Sequence, residues 1–528
     1  MFPGNWKADL GSGLLVFLIA LPLCLGISMA SGFPPTAGIL TAVIGGLLVS
    51  FLGSARLTIK GPAAGLIVIA LGAVTELGAG DNVAGYKRAI AAIMVAGVIQ
   101  ILFALFKAGA VGDLMPPSVV HGMLAAIGVI IISKQTHVAL GVVPQGKEPL
   151  HLLAEIPHSL LNLNPEVCFI GLLSLLILFG LPLLKWKWVR RIPGPMLVLL
   201  TAVPLGLFFD LEHEHNYVLS NHIFHVGPSF LIRLPGSLAS TITFPDFSAI
   251  FSAISIKYIV MFSLVGSIES LLSVSAVDSL DPERRSSDMN KDLLATGIGN
   301  TLAGALGGLP MISEIVRSKA NIDNGARTHW SNFFHGMFLL FSLALIPNLL
   351  QEIPLAALAG MLIYTGFRLA SPKEFAHAYK IGPEQLALFT MTMLVTLATD
   401  LLIGVGLGML LKVVLHLKNG ARLGGLFKAV IEEERNGKEL TLRVREAAIY
   451  TNFLGIKRRL QNLDETVESV VVDFQNAWVV DHTVLEKLHT MGRSWPNRRL
   501  VLVGLDGHEA SSNHQLAARR RPRPVGAA

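Results

Sequence analysis

Leu57-Thr-Ile-Lys-Gly-Pro-Ala-Ala-Gly65 and Gly307-Gly-Leu-Pro-Met-Ile-Ser-Glu314 lie far apart in the chain and share one pattern. Each is a short apolar segment broken by Gly and Pro, and each opens a further apolar run. Pro has no N–H to give and Gly leaves its backbone unconstrained, so neither segment begins as a regular helix. In a membrane protein, interrupted segments at corresponding places in two halves are half-helices. Their N-termini meet near the midplane, where free amides and positive dipole ends attract an anion.

Such a reading needs a membrane and two halves, and the rest of the chain supplies both. Of its 528 residues 52% are hydrophobic and 15% charged, against about 25% charge in an ordinary soluble domain. A hydrocarbon core about 30 Å thick takes roughly 20 apolar residues per helix. Leu10–Ala55, Ala89–Phe106, Leu114–Ser133, Val167–Leu184, Ile192–Phe209, Leu293–Ser313 and Trp330–Gln351 contain no Asp, Glu, Lys or Arg. The N-terminus lacks the layout of a cleaved signal peptide, so the first apolar stretch is expected to be a retained helix.

Fourteen spans are expected, at 13–30, 36–53, 61–77, 88–107, 115–136, 167–184, 194–210, 257–276, 292–307, 312–325, 329–347, 354–369, 384–400 and 401–417. The connection that opens with Asp210-Leu-Glu-His-Glu-His and runs to about residue 255 divides them seven and seven, and it reads as a solvated external loop. An odd number per half inverts the second half with respect to the first, as in many secondary transporters. The repeats are expected at about 8–210 and 250–418 within a transport domain of residues 1–420. Lys7, Arg56 with Lys60, Lys107, Lys185 with Lys187, Arg190 and Arg191, Arg284 with Arg285, Arg327, Arg368 with Lys373, and Lys418 all fall on one side. The positive-inside rule then places both termini in the cytoplasm of a multi-pass inner-membrane protein. It also accounts for the net charge of +6 without nucleic acid as a partner.

After Lys418 apolar density falls, and a small cytoplasmic α/β domain is expected over 430–510. Glu439–Val444, Val470–Phe474 and Arg499–Val503 read as strands and Thr483–Met491 as a helix. Residues 511–528, with Arg519-Arg-Arg-Arg-Pro-Arg-Pro, have no apolar periodicity and are expected to be an unstructured basic tail able to touch anionic lipid. Cys24 and Cys168 sit in apolar stretches with no metal-ligand or disulfide spacing. No phosphate loop, nucleophile elbow or metal array occurs, so neither an enzyme, nor a metal, nor a cofactor beyond a coupling ion is expected.

Gly4-Asn-Trp-Lys-Ala-Asp-Leu, Ala20-Leu-Pro, Lys60-Gly-Pro-Ala-Ala-Gly, Gly266-Ser-Ile-Glu-Ser-Leu-Leu-Ser, Gly297-Ile-Gly-Asn-Thr, Gly307-Gly-Leu-Pro through Arg317, and Asn321-Ile-Asp-Asn-Gly-Ala-Arg-Thr together resemble the SulP family of sulfate permeases. Its members end in a cytoplasmic STAS domain. The resemblance implies two inverted seven-span repeats arranged as a core domain that carries substrate and a gate domain against which it moves, commonly as a homodimer. It also implies that the anion, sulfate, bicarbonate or chloride, lies between the third and tenth spans, against Gly61, Pro62, Ala63, Ser313, Glu314, Ile315, Val316 and Arg317, with Pro22 and Leu23 nearby.

Ionisable groups at bilayer depth are costly and so mark function. Glu269 matches an acidic position that, in related transporters, takes part in sodium or proton coupling, and Ser273 lies one turn on. Arg317 matches a basic position that puts positive potential beside the anion. Glu314 departs from the family pattern of small or hydroxyl residues. Two solutions are open: it is protonated along with the anion, giving symport, or it pairs with Lys60 across the half-helix junction. Lys60 also reads as a cytoplasmic anchor. Asp481 and Thr483 resemble a STAS helix start that is phosphorylated in some relatives, and they read equally as a plain helix cap. A proton-coupled dicarboxylate or nucleobase carrier, and a transport-inactive receptor or scaffold acting through the STAS-like domain, are the competing functions.

Overall fold

The computed structural model describes residues 6–107, 109, 115–146, 148–184, 193–219, 222–234, 241–283, 285–399, 401–464, 466–495 and 498–522. Gly4, Asn5, Lys185, Lys187, Arg190, Arg191, Arg284 and residues 523–528, all used above, lie outside these. The chain forms two compact units. One holds residues 1–109, 127–282 and 287–369, and the other 110–126, 283–286 and 370–528.

In the first unit, α1 (Trp6–Ala30) and α2 (Thr36–Ile44) are followed by a π turn at Gly45–Val49 and by α3 (Ser50–Leu52). A short strand, β1 (Ile59–Pro62), leads through a 3-10 turn at Ala64–Leu66 into α4 (Ile67–Gly78). Next come α5 (Asn82–Leu105), α6 (Pro117–Ala139, whose first residues belong to the second unit), α7 (Pro149–Leu161), α8 (Pro165–Gly180) and α9 (Gly194–Phe208). The acidic, His-rich connection continues into a hairpin of β2 (His215–Leu219) and β3 (His222–Val226). The second half carries α10 (Ala253–Leu280), α11 (Met289–Leu306), β4 (Met311–Glu314), α12 (Ile315–Asp323), α13 (Trp330–Leu345), α14 (Pro347–Gln351) and α15 (Leu355–Leu369).

Local sequence accounts for these boundaries. Asp81 accepts from the Val83 and Ala84 amides and Asp288 from those of Asn290 and Lys291, so α5 and α11 each begin on an acidic N-cap. α5 and α11 lie against each other on small residues. A Cβ on Gly97 would fall 2.5 Å from the Thr301 amide nitrogen, and one on Gly304 would fall 2.6 Å from that of Met94. Such close backbone approach is how helices associate when lipid is as apolar as they are. Conversely, α8 leaves Phe169, Leu172, Leu176 and Phe179 exposed at helical spacing, as a lipid-facing stripe would be.

Among the described residues, seven helices are long and apolar enough to cross a membrane, and Thr36–Leu52, Ala64–Gly78, Gly194–Phe208 and Trp330–Leu345 are shorter apolar helices. The expectation of fourteen spans is therefore larger than the number of full-length apolar helices. The segments at 61–77 and 312–325 differ most from plain spans, because both open as strands. The amphipathic α7, with His151, Glu155 and His158, falls where no element is expected, since its polar residues interrupt any apolar run.

The second unit contains α16 (Pro372–Ile381), α17 (Pro383–Ala398), α18 (Leu401–Lys418) and a seven-stranded sheet. The strands are β5 (Val430–Asn436), β6 (Glu439–Ala448), β7 (Ser469–Asp473), β8 (Ala477–Val480), β9 (Arg499–Val503), β10 (Glu509–Ala510) and β11 (Arg519–Arg520), with helices α19 (Phe453–Gln461) and α20 (His482–Ser494). β6 pairs in parallel with β7 and β8, and β7 with β9. Alternating Leu442 and Val444, and Val470 and Val472, bury one side against Phe453, Ile456, Val484 and Leu488. This sheet-bearing domain fits the STAS expectation, and the three strands and one helix read from sequence start within a residue of β6, β7, β9 and α20.

α16 to α18 group with the sheet in the second unit. One boundary is corrected. Residues 511–522 are not an unstructured tail: Arg519 and Arg520 add a strand against β8, Ala517 is fully buried, and Arg521 lies over the Trp478 ring. Edge pairing uses backbone groups and needs no apolar period, so side-chain pattern did not reveal it.

Candidate functional site

β1 and β4 pair antiparallel, with Ile59 opposite Glu314, Lys60 opposite Ser313, Gly61 opposite Ile312 and Pro62 opposite Met311. The Ala63 amide extends the ladder to the Pro310 carbonyl at 3.0 Å. Each strand then leads into a helix, β1 through the 3-10 turn at Ala64–Leu66 into α4 and β4 directly into α12. Two helix starts are thus held together by two strands that neither half could use alone.

The ladder is clamped by buried polar side chains. The Met311 amide donates to Asn300 Oδ1 at 2.5 Å, while Asn300 Nδ2 donates to the Met311 carbonyl at 3.0 Å and to Gln100 Oε1 at 2.8 Å. The Ser313 amide donates to Ser270 Oγ at 3.2 Å, and the Ile59 amide to Ser318 Oγ at 2.8 Å. Asn321 Nδ2 reaches the Leu57 carbonyl at 3.0 Å and Ser331 Oγ at 2.8 Å. Sequence reasoning missed Asn300, Ser270, Asn321 and Gln100 as functional supports. The first three lie within the quoted motifs, and that was the only signal available.

Lys60 does not pair with Glu314. Its Nζ is 2.5 Å from Asp292 Oδ2, 2.6 Å from Ser313 Oγ and 3.3 Å from Thr296 Oγ1, and both charged side chains are buried. Strand register explains this. Directly opposed residues share a face and neighbours alternate, so Lys60 shares a face with Ser313 while Glu314 projects to the other side with Ile59. The burial also excludes Lys60 as a surface anchor. Asp292 was overlooked because it stands in the first turn of α11, where an acidic residue is ordinary.

On the other side of the ladder the remaining candidates converge. Arg317, only 1% exposed, sends Nη1 to within 3.5 Å of Cys24 Sγ on α1, two residues after Pro22. A Cβ on Gly61 would lie 2.6 Å from that same Nη1, so glycine makes room for the guanidinium. Glu314 Oε1 accepts the Ala64 amide at 3.3 Å. Glu269, on α10, places Oε1 where a Cβ on Gly65 would fall, at 1.7 Å, and its buried Oε2 has no hydrogen-bond partner. Ser273 is buried one turn further on. Pro22, Gly61, Pro62, Ala63 and Ser313 are buried, Leu23 is half-buried, and Ile315 and Val316 are exposed at the start of α12. Chemically the arrangement offers free amides and one buried guanidinium for an anion, with two carboxyl groups beside them.

In the sheet domain, Asp481 is fully buried and caps α20. Oδ1 accepts the Val484 amide at 2.7 Å and Oδ2 the Tyr450 amide at 3.1 Å. His416 Nε2 and Lys412 Nζ, from α18, lie 3.2 and 3.9 Å from Oδ2. Burial alone would push this carboxyl up, but Lys412, His416 and the Val484 amide outweigh it and hold Asp481 well below the usual carboxylate range. Thr483 is fully buried, so its hydroxyl is not presented to a modifying enzyme.

Residues 6–392 match the sulfate permease family. YvdB of Bacillus subtilis (strain 168), a protein named for sulfate transport, is 28% identical over 416 residues, covering 78% of this chain and 74% of YvdB. The bicarbonate transporter BicA of Picosynechococcus sp. is 28% identical over 421 residues, 79% of this chain and 71% of BicA. The solved transmembrane domain of a cyanobacterium BicA superposes with a TM-score of 0.64 at 25% identity, covering 76% of this chain and 98% of that one. SLC26A9 matches at a TM-score of 0.67 and 12% identity over 94% of this chain and 84% of its own, which is a likeness of fold alone.

Proposed function

The chain belongs to the sulfate permease family, and on that premise we propose that it is a secondary transporter of a small inorganic anion, sulfate or bicarbonate or else chloride, across the inner membrane. The observation that carries this reading is the buried Arg317 beside two helix starts joined through β1 and β4. A buried guanidinium and free amides suit an anion, and the expense of burying Arg317 without a carboxylate hydrogen bond is offset when one arrives.

In this reading the anion lies among Gly61, Pro62, Ala63, Glu314, Ile315, Val316 and Arg317, with Pro22 and Leu23 at its side; Ser313, expected with them, turns its hydroxyl to Lys60 on the other face and offers only backbone. The core that carries these residues moves against a gate, elevator-fashion, in a homodimer of fourteen-span subunits with both termini cytoplasmic. Glu269 and Glu314 couple the movement to a proton or sodium ion. Two carboxylates so near each other repel, and Glu269 has an oxygen with no partner, so a bound cation relieves both burdens. Ser273 supplies a hydroxyl on the same helix face as Glu269.

Purified protein in liposomes tests this. Labelled bicarbonate or sulfate is expected to accumulate under a proton or sodium gradient, and Arg317→Gln to remove the uptake while leaving the protein folded. Uptake that survives in Arg317→Gln would move the anion site elsewhere.

A further inference from the structure

We propose that Glu314 makes the site selective for oxyanions that carry a proton, bicarbonate above all, over anions that can only accept hydrogen bonds, such as sulfate, nitrate and chloride. The inference rests on the anion-transport reading and adds the chemical class of the cargo.

An ionised carboxylate is acceptor-only. It welcomes an O–H and repels a lone pair. Bicarbonate has one O–H to give, whereas sulfate and nitrate have none at neutral pH. Glu314 stands where that difference is felt: at the N-cap of α12, opposite Ile59, with Oε1 already covering the Ala64 amide at the start of the opposing helix. It keeps 9% of its surface exposed, next to the exposed Ile315 and Val316. The anion therefore meets donors on one side, Arg317 and the first amides of α12, and an acceptor on the other.

Of the carboxyl pair, Glu314 has the contacts that favour the charged form. It has Arg317 one turn on, an amide on Oε1 and a helix start beneath it. Glu269 is as deeply buried as Glu314, but it has no partner for Oε2 and is pressed against Gly65, so of the two it has less to hold its charge and is the better placed to take up a proton. Lys60 does not cancel Glu314, being bound to Asp292 on the opposite face of the ladder. Glu314 thus reads the cargo as well as facing the coupling ion, and of the two carboxyl groups Glu269 is the one best placed to take that ion up.

A site that must receive an O–H rejects analogues lacking it more strongly than a site that only measures size. The test uses the full-length protein in liposomes, loaded with labelled bicarbonate at mildly alkaline pH, with unlabelled nitrate and sulfate as competitors. Nitrate is the decisive probe, being planar and singly charged like bicarbonate but without a hydrogen. In the wild type, nitrate and sulfate are expected to compete at least about tenfold more weakly than unlabelled bicarbonate. Glu314→Gln, whose amide both donates and accepts, is expected to erase most of that difference and admit nitrate. Nitrate competing as well as bicarbonate in the wild type would overturn the proposal, and this arm stands even if the variant fails to fold. Sulfate uptake without bicarbonate uptake would overturn it too. If no anion moves at all, the transport reading itself falls.

Discussion

Lys60 Nζ and Asp292 Oδ2 form an ion pair at 2.5 Å with both side chains almost wholly withdrawn from solvent, joining β1 in one half of the chain to α11 in the other. Removing one partner of a buried pair leaves a bare charge and costs about 3–5 kcal/mol, whereas replacing both with apolar residues is often neutral. Asp292→Asn is therefore expected to lower the melting temperature in detergent sharply, and Lys60→Met with Asp292→Leu to recover most of the loss. A melting curve for Asp292→Asn that overlays the wild type would show the pair to be structurally idle.

Gly65→Ala carries the next prediction. The added methyl would sit 1.7 Å from Glu269 Oε1, so the carboxyl must leave its place. Uptake is expected to fall by more than about tenfold, since small displacements at a reacting or binding centre have effects of that order. Gly65→Ala combined with Glu269→Ala removes the clash and should restore the wild-type melting temperature without restoring coupled uptake. Full coupled uptake in Gly65→Ala would show that Glu269 has no fixed part in transport.

Arg317→Lys separates charge from shape. Guanidinium offers a planar fork of donors and lysine a single flexible point charge, so the exchange keeps the sign while losing the geometry. Anion affinity is expected to weaken by about tenfold or more, read as a rise in the half-saturating concentration. Gly61→Ala, whose methyl would meet Arg317 Nη1 at 2.6 Å, is expected to weaken it in the same direction. Unchanged half-saturation in both variants would remove Arg317 from the site.

The sheet domain gives a prediction in pH. The folded Asp481 carboxyl titrates below its ordinary value of about 3.9. A depressed carboxylate contributes stability that is complete above the unfolded value and is lost as pH falls through the folded one. Asp481→Asn removes the charge facing Lys412 and His416 and weakens the cap of α20, costing about 3 kcal/mol or more at neutral pH. The gap in melting temperature between wild type and variant should be widest near neutrality and narrow as pH falls below about 4. A gap independent of pH would mean that the carboxylate charge contributes nothing.

Much of this was readable from residues alone, for reasons that differ by element. The two segments announced themselves because Gly and Pro cluster at Gly61-Pro62 and at Gly307-Gly308-Leu309-Pro310, which weakens a helix there. Arg317 and Glu269 stood out because charge in apolar surroundings is rare. The partner of Lys60 was not readable, because it depends on the register between β1 and β4. Four-residue strands such as Ile59–Pro62 are too short to show alternation. The amphipathic α7 and the two-residue strand β11 were hidden for a related reason: the first breaks the apolar signal, and the second is held by its backbone.

The pairing of β1 with β4 also sets a timetable for making the protein. Lys60 and Ser313 touch across 253 positions of chain, so at about 5–20 residues per second the ribosome needs roughly ten to fifty seconds between emitting one strand and the other. Throughout that interval β1 has no partner for its amides and carbonyls, groups that hydrocarbon cannot satisfy and that cost several kcal/mol each when left bare. The nascent first half must therefore wait in a sheltered, wet place, such as the insertion machinery or its own unclosed interior. A chain cut short before Met311 is a substrate for quality control rather than half a transporter.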